Sequence, residues 1–461
     1  MSTESSSVHQ SRPSQTLLWL VSLGFFMQNL DATIVNTALP TMAKELNEST
    51  LHMQWVLISY MLTNAMVIPS SGWLADRFGT RRVFSCAIIL FISGSLLCAQ
   101  AHNLNLLIAG RIIQGAGAAL LVPVGRLAVL RTYPKGQFLK AMSFVLVPGI
   151  VGQLIGPSLG GFLVEYFSWK WIFLINLPIG VMGIFVTLRH MPELRAEHLS
   201  SFDFLGYLLL AIAMVTWSLC LDGIGILNLK WGSILVFFLV GLLAIIYYIL
   251  HARQLASPLF SRRLFKHKTF NIGVCGNIFA RIGSGGMPFM LPLFLQLILG
   301  YTPAQAGLMM LPVAISSIVT KRLLIHLIQW FGYRSILISN TVFLGLCIAG
   351  FALMERDQPL IARIIYMAIF GALNSLQFSV MSTVTLKDLN SETASSGNTM
   401  LSMTQMLSMS MGVSIASTVL HLLSTHFSTM PLISAFHGTF IIIGVSSCLA
   451  ALIFSRLPKD T

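Results

Sequence analysis

The sequence contains very little charge. Only 9% of its 461 residues are charged, against roughly 25% in a typical soluble domain, and 55% are hydrophobic. This composition excludes an ordinary soluble protein and indicates a polytopic membrane protein. The apolar runs are about twenty residues long and lack the two-residue alternation of outer-membrane barrels, so they predict membrane-spanning helices.

Several chemical signatures are also missing. The six cysteines lie inside or at the edge of apolar runs and form no Cys-x-x-Cys pair, which argues against structural disulfides and zinc sites. No phosphate-binding loop, nucleophile with a paired base or metal-ligand cluster is visible, so neither ATP-driven transport nor enzymatic catalysis is indicated. We therefore expect no cofactor and no bound metal.

The hydrophobic pattern predicts an all-α protein with about fourteen spans. With the N-terminus in the cytoplasm, about 21 basic residues fall in cytoplasmic loops and tails and about five outside. This segregation explains the net charge of +13 without nucleic acid as a partner. The predicted spans are roughly 17–39, 54–74, 83–101, 104–126, 140–163, 170–189, 204–222, 231–250, 270–298, 304–324, 334–353, 359–384, 396–421 and 436–456.

A weak internal repeat accompanies these spans. The tetrapeptide Phe78–Arg81 follows the second span, and the similar Phe331–Arg334 follows the tenth. Two parallel six-helix halves would produce such a repeat. The predicted organisation is then a cytoplasmic tail at 1–16, a first half at 17–190, a linker with an inserted helix pair at 191–269, a second half at 270–456 and a cytoplasmic tail at 457–461.

The loop between the second and third spans has a distinctive pattern, GWLADRFGTRR at 72–82. It resembles the loop signature of the major facilitator superfamily of secondary transporters, and the resemblance implies the fold of that superfamily. The two glycines suit close backbone approach and a turn with positive φ. The resemblance further implies a latch on the cytoplasmic side, formed by the acid and its basic neighbours. The predicted gate residues are Gly72, Asp76, Arg77, Gly79, Arg81 and Arg82.

Asp31 lies within the first span, where an unpaired carboxylate is costly, so it is a candidate functional residue. Arg111, followed by Gln114, lies in the fourth span at a similar depth, roughly 10–12 Å below the outer surface. The sequence around Asp31 resembles the first-span signature of fourteen-span drug:proton antiporters, and the sequence from Arg111 resembles a signature of proton-coupled members of the superfamily. The resemblance implies that Asp31 binds the proton and that Arg111 adjusts this proton binding. The similar depths of the two residues allow them to be in contact. The alternatives are an interfacial Asp31 and an Arg111 that extends to the membrane surface.

The fifth span carries glycines four residues apart beside a Gly-Pro pair. This spacing makes a smooth stripe for close helix packing, and the proline removes an amide donor and can bend the helix. The phrase resembles the antiporter signature of the superfamily, which implies a hinge and seal; ordinary small-residue packing is the alternative. The residues are Gly152, Gly156, Pro157, Gly160 and Gly161.

Six polar residues within spans are candidates for a substrate cavity. Arg281 lies near mid-bilayer with no acid close in sequence, so it would bind an anionic group or pair with a distant carboxylate. Asn374 and Gln377 stand at the repeat position of Arg111 and Gln114. In the thirteenth span, methionines surround Asn398 and Gln405. Methionines line permissive binding pockets, and they also serve in ordinary helix packing. The six candidates are Gln114, Arg281, Asn374, Gln377, Asn398 and Gln405.

The resemblance to fourteen-span drug:proton antiporters implies a proton-coupled exporter of small molecules. It would work by alternating access as a monomer in the inner membrane of a bacterium, with protons, a small-molecule substrate and the lipid bilayer as its partners. One alternative is the export of a small anionic metabolite or its metal chelate, which the two arginines favour. Another is a non-transporting membrane sensor, which would not need the glycine stripe.

Overall fold

The computed structural model describes residues 15–196, 201–225, 229–255, 257–426 and 431–458. In these ranges the chain is helical and contains no strand, which confirms the predicted all-α class. Thirteen of the described helices are long and apolar enough to cross a membrane. The protein is therefore a multi-pass membrane protein.

The helices that correspond to the predicted spans are numbered in chain order. We refer to α1–α6 as the first half, α7 and α8 as the inserted pair, and α9–α14 as the second half. The first half comprises α1 (Gln15–Ile34), α2 (Gln54–Val67), α3 (Thr80–Ala99), α4 (Leu104–Thr132), α5 (Lys135–Tyr166) and α6 (Asn176–His190). The inserted pair is α7 (Phe204–Ile224) and α8 (Trp231–Gln254).

The second half begins with α9 (Lys268–Gly285), which Met287–Leu297 continues after a break. The helix Leu311–Gly350 contains both α10 and α11, which meet at Gly332. The remaining long helices are α12 (Leu360–Leu386), α13 (Ser391–His426) and α14 (Leu432–Leu449). Short helices connect these elements at Leu39–Glu45, Ser71–Phe78, Trp171–Leu174, Pro303–Met309 and Ala451–Phe454.

The second predicted span, 54–74, is segmented. Helix α2 has 14 residues, a 3-10 turn follows at Ile68–Ser70, and Ser71–Phe78 adds 8 residues. Pro69 lies inside the turn, and because it has no amide hydrogen it cannot extend the α-helical hydrogen-bond ladder. Neither piece alone has the length of a span, which is why the described chain shows thirteen long apolar helices where about fourteen were predicted.

The two copies of the repeat share an unusual backbone conformation. Gly79 has φ 93° and ψ 149°, and Gly332 has φ 71° and ψ 161°, so each ends one helix and starts the next with a positive φ that favours glycine. The turn predicted at Gly79 is confirmed. The close approach predicted at Gly72 is wrong, because a Cβ there would meet nothing within 4 Å.

The two halves pack closely at the end of the bundle that is remote from the 72–82 loop. We call the end that carries the 72–82 loop the basic end and the other the opposite end. Helix α2 packs on α13, and α5 packs on Pro303–Met309. At the opposite end Ser158 Oγ donates to the carbonyl of Gly307 (3.0 Å), and Gln296 Nε2 donates to that of Thr37 (3.0 Å). A buried apolar cluster with members from both halves surrounds these bonds, so the opposite end is closed.

The predicted glycine stripe of α5 faces α1. A Cβ at Gly156 would overlap the Oγ1 of Thr33, and one at Gly160 would overlap the carbonyl oxygen of Ile34. The next residue, Gly161, lies against the backbone of Pro303 in the second half. The stripe therefore lets α5 approach α1 on one side and the second half on the other, a closeness that larger residues would prevent.

We expect Gly156→Leu to destabilise the protein, because its side chain would need the space that Thr33 occupies. Overpacking of this kind costs about 1–3 kcal/mol. The measurement is thermal unfolding of the purified protein in detergent, with Gly72→Leu as the matched control, since its side chain would enter open space. If the Gly156 variant were as stable as the control, the stripe would not be a packing surface.

Candidate functional site

A buried ion pair lies inside the first half. The Nη1 atom of Arg111 on α4 lies 2.7 Å from Oδ2 of Asp31 on α1, and the two side chains are 1% and 0% exposed. This confirms the contact predicted from the depths of the two residues. The proton-coupling role of the pair stays a prediction.

Three further side chains complete the surroundings of Asp31. Gln114 Nε2 donates to Asp31 Oδ1 at 2.6 Å, and Asn176 Nδ2 donates to the same oxygen at 3.2 Å. Ser95 Oγ accepts from both amides. The ion-pair cluster is therefore Asp31, Arg111, Gln114, Asn176 and Ser95, and it joins α1, α3, α4 and α6.

The guanidinium of Arg111 also contacts α2. Its Nε donates to the carbonyl of Val56 at 3.0 Å, and its Cζ lies 4.1 Å from the ring centroid of Tyr60. A desolvated cation over an aromatic face gains about 2 kcal/mol or more. Burial is costly for each charge, and here each has several partners that offset that cost.

The sequence predicts Gln114 in a substrate cavity, which stays a prediction; the structure places the side chain in the ion-pair cluster. Its side chain is fully buried and bonded to Asp31, Arg111 and Ser95. Ser95, Asn176 and Tyr60 were not predicted at all. A usable signal existed for Asn176, which is an amide within an apolar run and therefore needs a partner in the membrane.

The polar residues of the second half do not form one cluster. Gln377 Nε2 donates to Thr341 Oγ1 (2.8 Å), and Gln377 Oε1 accepts from Asn340 Nδ2 (2.8 Å). These bonds hold α12 to α11, so Gln377 serves helix packing in this conformation, and its place in a substrate cavity stays a prediction. Gln405 Nε2 donates to Ser382 Oγ, which joins α13 to α12. Asn374 and Asn398 are half-buried.

Arg281 is the unusual cation of the second half. Its side chain on α9 is buried, and its Cζ lies 4.4 Å from the ring centroid of Phe378 on α12. Among the described residues no carboxylate forms an ion pair with it, and its Nε has no hydrogen-bond partner. The first of the two predicted options, an anionic group from outside the chain, is therefore the one that stays open in this conformation.

The 72–82 loop docks onto the linker between the halves. Asp76 forms an ion pair with Arg131 at the end of α4, within the first half. Thr80 Oγ1 donates to the carbonyl of Pro192, and Arg81 Nε donates to that of Met191. The predicted latch between the halves stays a prediction, since the described side-chain contacts of Asp76 do not reach the second half.

A further buried acid lies outside the spans, at the start of the inserted pair. Asp203 caps α7 by accepting from Gly206 N (2.8 Å), and it also accepts from His251 Nε2 (2.8 Å) and Leu259 N (3.1 Å). Burial raises the pKa of this carboxyl, but the three hydrogen bonds outweigh burial and hold the pKa below its usual value. The carboxylate thus stabilises the fold at neutral pH and loses that contribution only as the pH falls through its lowered pKa.

These features define a class. Paired helical halves, a linker, and a buried acid–arginine pair within the spans are typical of secondary transporters. The sequence profile of the Major Facilitator Superfamily matches residues 21–413, and the chain belongs to that family of secondary transporters.

Comparison with individual proteins agrees with this family assignment. The chain is 48% identical, over 96% of each chain, to the protein named "Putative multidrug resistance protein MdtD" in Pectobacterium atrosepticum. It is 49% identical to the protein of the same name in Yersinia enterocolitica, over 96% of this chain and 95% of that one. Among solved structures it resembles a D-xylose-proton symporter, with a TM-score of 0.70, 16% identity, and coverage of 97% and 98%. That likeness shows the shared fold.

We expect Arg111→Leu to destabilise the protein strongly at neutral pH, because it leaves the Asp31 carboxylate buried without its cation. Breaking a buried pair in this way costs about 3–5 kcal/mol. The double variant Asp31→Asn/Arg111→Leu should lose less stability than the sum of the losses in the two single variants, because neither charge is then left without its partner. Thermal unfolding of the four proteins measures the coupling.

The matched control for this cycle is Arg82→Leu. Its arginine side chain is 71% exposed and lies 3.9 Å from Glu193, so its loss should change stability by about 0–1 kcal/mol. Additive effects of the Asp31 and Arg111 changes would mean that the two groups do not interact in the membrane.

Proposed function

We propose that this chain is a proton-coupled exporter of small molecules, of the multidrug efflux type, in the cytoplasmic membrane of a bacterium. The observation that carries the proposal is the Asp31–Arg111 pair. Of the ion pairs formed by described lysine or arginine residues, it alone has both side chains almost completely buried. An acid maintained within the spans at this cost is a candidate proton-binding residue. The names of the enterobacterial relatives support the drug-efflux part.

The structural effect of protonating Asp31 would be transmitted to the interface between the halves through α1 and the turn after it. A neutral Asp31 attracts Arg111 more weakly, which loosens the contacts of α1 with α4. Thr33 and Ile34, which follow Asp31 on the same helix, are the residues that seat Gly156 and Gly160 of α5. Just beyond the helix, Thr37 accepts a bond from Gln296 in the second half. A shift of α1 would therefore change the contacts between the halves at the opposite end.

The proposed orientation follows from the loop charges. If the basic end faces the cytoplasm, as the positive-inside rule predicts, both termini are cytoplasmic. The closed opposite end then faces away from the cytoplasm, so the described conformation is closed toward the outside. The domain division into two six-helix halves and an inserted pair belongs to the same proposal.

A second candidate function is the export of a small anionic metabolite. The observation that favours it is Arg281, whose buried guanidinium has no carboxylate partner among the described residues. A cation at that depth is costly unless an anion binds it during the cycle. The two candidates share a transport mechanism and differ in the charge of the substrate.

The first test is uptake into everted membrane vesicles with an acid interior. We expect Asp31→Asn to reduce gradient-driven uptake to the level of passive leak, because the amide cannot bind or release a proton, while substrate exchange without a gradient continues. Asp203→Asn is the matched control, since it removes a buried acid paired with His251 outside the spans. Full gradient-driven uptake by the Asp31 variant would remove this residue from the coupling mechanism.

The second test separates the two substrate classes. With cationic drugs and organic anions compared in the same vesicles, Arg281→Gln should weaken anion transport about tenfold if an anion contacts it, since a charge-assisted hydrogen bond contributes about 1.5–3 kcal/mol. Transport of cationic drugs should then be unaffected. Equal effects on both substrate classes would assign Arg281 a structural role and leave the anion exporter without support.

A further inference from the structure

The inserted pair reaches the interface between the halves through one carboxyl group. Asp222 lies near the end of α7, and its side chain is fully buried. Its Oδ1 accepts from Ser414 Oγ on α13 (2.7 Å) and from Gln54 Nε2 on α2 (3.2 Å). Both partners are themselves fully buried. One oxygen of the inserted pair thus joins a helix of the first half to a helix of the second, at the opposite end.

The backbone at the end of α7 also contacts Thr418 of α13. Thr418 Oγ1 donates to the carbonyl of Leu221 (3.4 Å), and a Cβ at Gly225 would lie 2.9 Å from Thr418 Cα. Helix α7 packs on both α2 and α13. The carboxyl group therefore cannot keep both of its hydrogen bonds if α2 and α13 separate at this end.

Asp222 differs from Asp31 in its charge environment. No described cation lies within ion-pair distance of it, and its Oδ2 has no hydrogen-bond partner among the described residues. A carboxylate buried in this way is costly, whereas a protonated carboxyl is neutral and tolerates burial. The closed interface between α2 and α13 thus favours the protonated group, and an open, hydrated interface would favour the carboxylate.

Other titratable groups on the neighbouring elements are few and mostly engaged. On α2 the only one is Tyr60, which contacts Arg111. On α9, which also packs on α13, the guanidinium of Arg281 faces Phe378. Lys230, before α8, is exposed. His52, two residues before Gln54, and His421, seven residues after Ser414, are the groups from which Asp222 must be distinguished by experiment.

We propose that Asp222 is a second proton-binding residue, which makes the inserted pair a clamp that closes the α2–α13 interface only when this carboxyl is neutral. When the opposite end is open, the carboxylate takes a proton from water, forming its O–H bond, and the interface can close. When that end reopens, the O–H bond breaks and the proton returns to the water on the same side of the membrane. The inference rests on alternating access, which belongs to the proposed function, and assigns a role to the two additional helices.

The test measures closure directly, without transport. Spin labels on cysteines introduced at Lys44 and Thr425, both exposed at the opposite end in different halves, report the distance across the interface in a background without the six native cysteines. In the labelled parent we expect mild acid to shift the population toward the short distance. Asp222→Asn, a neutral isostere, should stay short at every pH and lose this shift, and Asp222→Glu should restore it.

Two comparisons decide the outcome. Asp203→Asn, the other buried acid of the inserted pair, should keep the pH-dependent shift. So should the double variant His52→Gln/His421→Gln. A pH-dependent shift that survives in Asp222→Asn, or one that disappears with the histidines, would overturn the proposal. Because the distances do not depend on substrate or gradient, failure of the vesicle assay with Asp31→Asn would leave this result interpretable.

Discussion

A carboxylate stays charged inside a membrane bundle only if its charge is compensated nearby, and the position of Asp31 places that requirement in the middle of the first half. Arg111 supplies the cation, and Gln114 and Asn176 supply the remaining donors. These groups come from α4 and α6, so satisfying the one buried charge on α1 fixes how these three helices are arranged. The polar cluster acts as a specific joint within the first half.

Helix α1 transmits the state of this joint because it has two packed faces. One face carries Asp31 toward α4, and Thr33 and Ile34 of the same helix contact the glycines of α5. The next α5 residue, Gly161, packs against Pro303 in the second half. Close packing without intervening long side chains allows little independent movement, so a displacement at the ion pair is passed on more completely than it would be across a flexible contact.

Local patterns predicted the features that depend on one helix or one turn. Span positions followed from hydrophobic length, the turn at Gly79 from its glycine, and the Asp31–Arg111 contact from matched depth. What failed depended on rotation and tertiary contact. The hydrogen-bond partners of Gln114 and Gln377 were not predicted, because depth does not reveal which neighbour a side chain faces. Depth also could not join Asp222 to Gln54, because their contact spans 168 positions in the sequence.

The two halves have diverged in the chemistry they place at related positions. Where the first half has Arg111 and Gln114 around an acid, the second has a neutral network in which Gln377 joins α12 to α11. Its buried cation, Arg281, is on a different helix and has no described carboxylate partner. If Asp31 binds the coupling proton, as proposed, the charge balance of one half only would change. A movement of the halves relative to each other then requires a contact that senses the first half and holds the second, which the α1–α5 packing and the bonds at Thr37 and Gly307 provide.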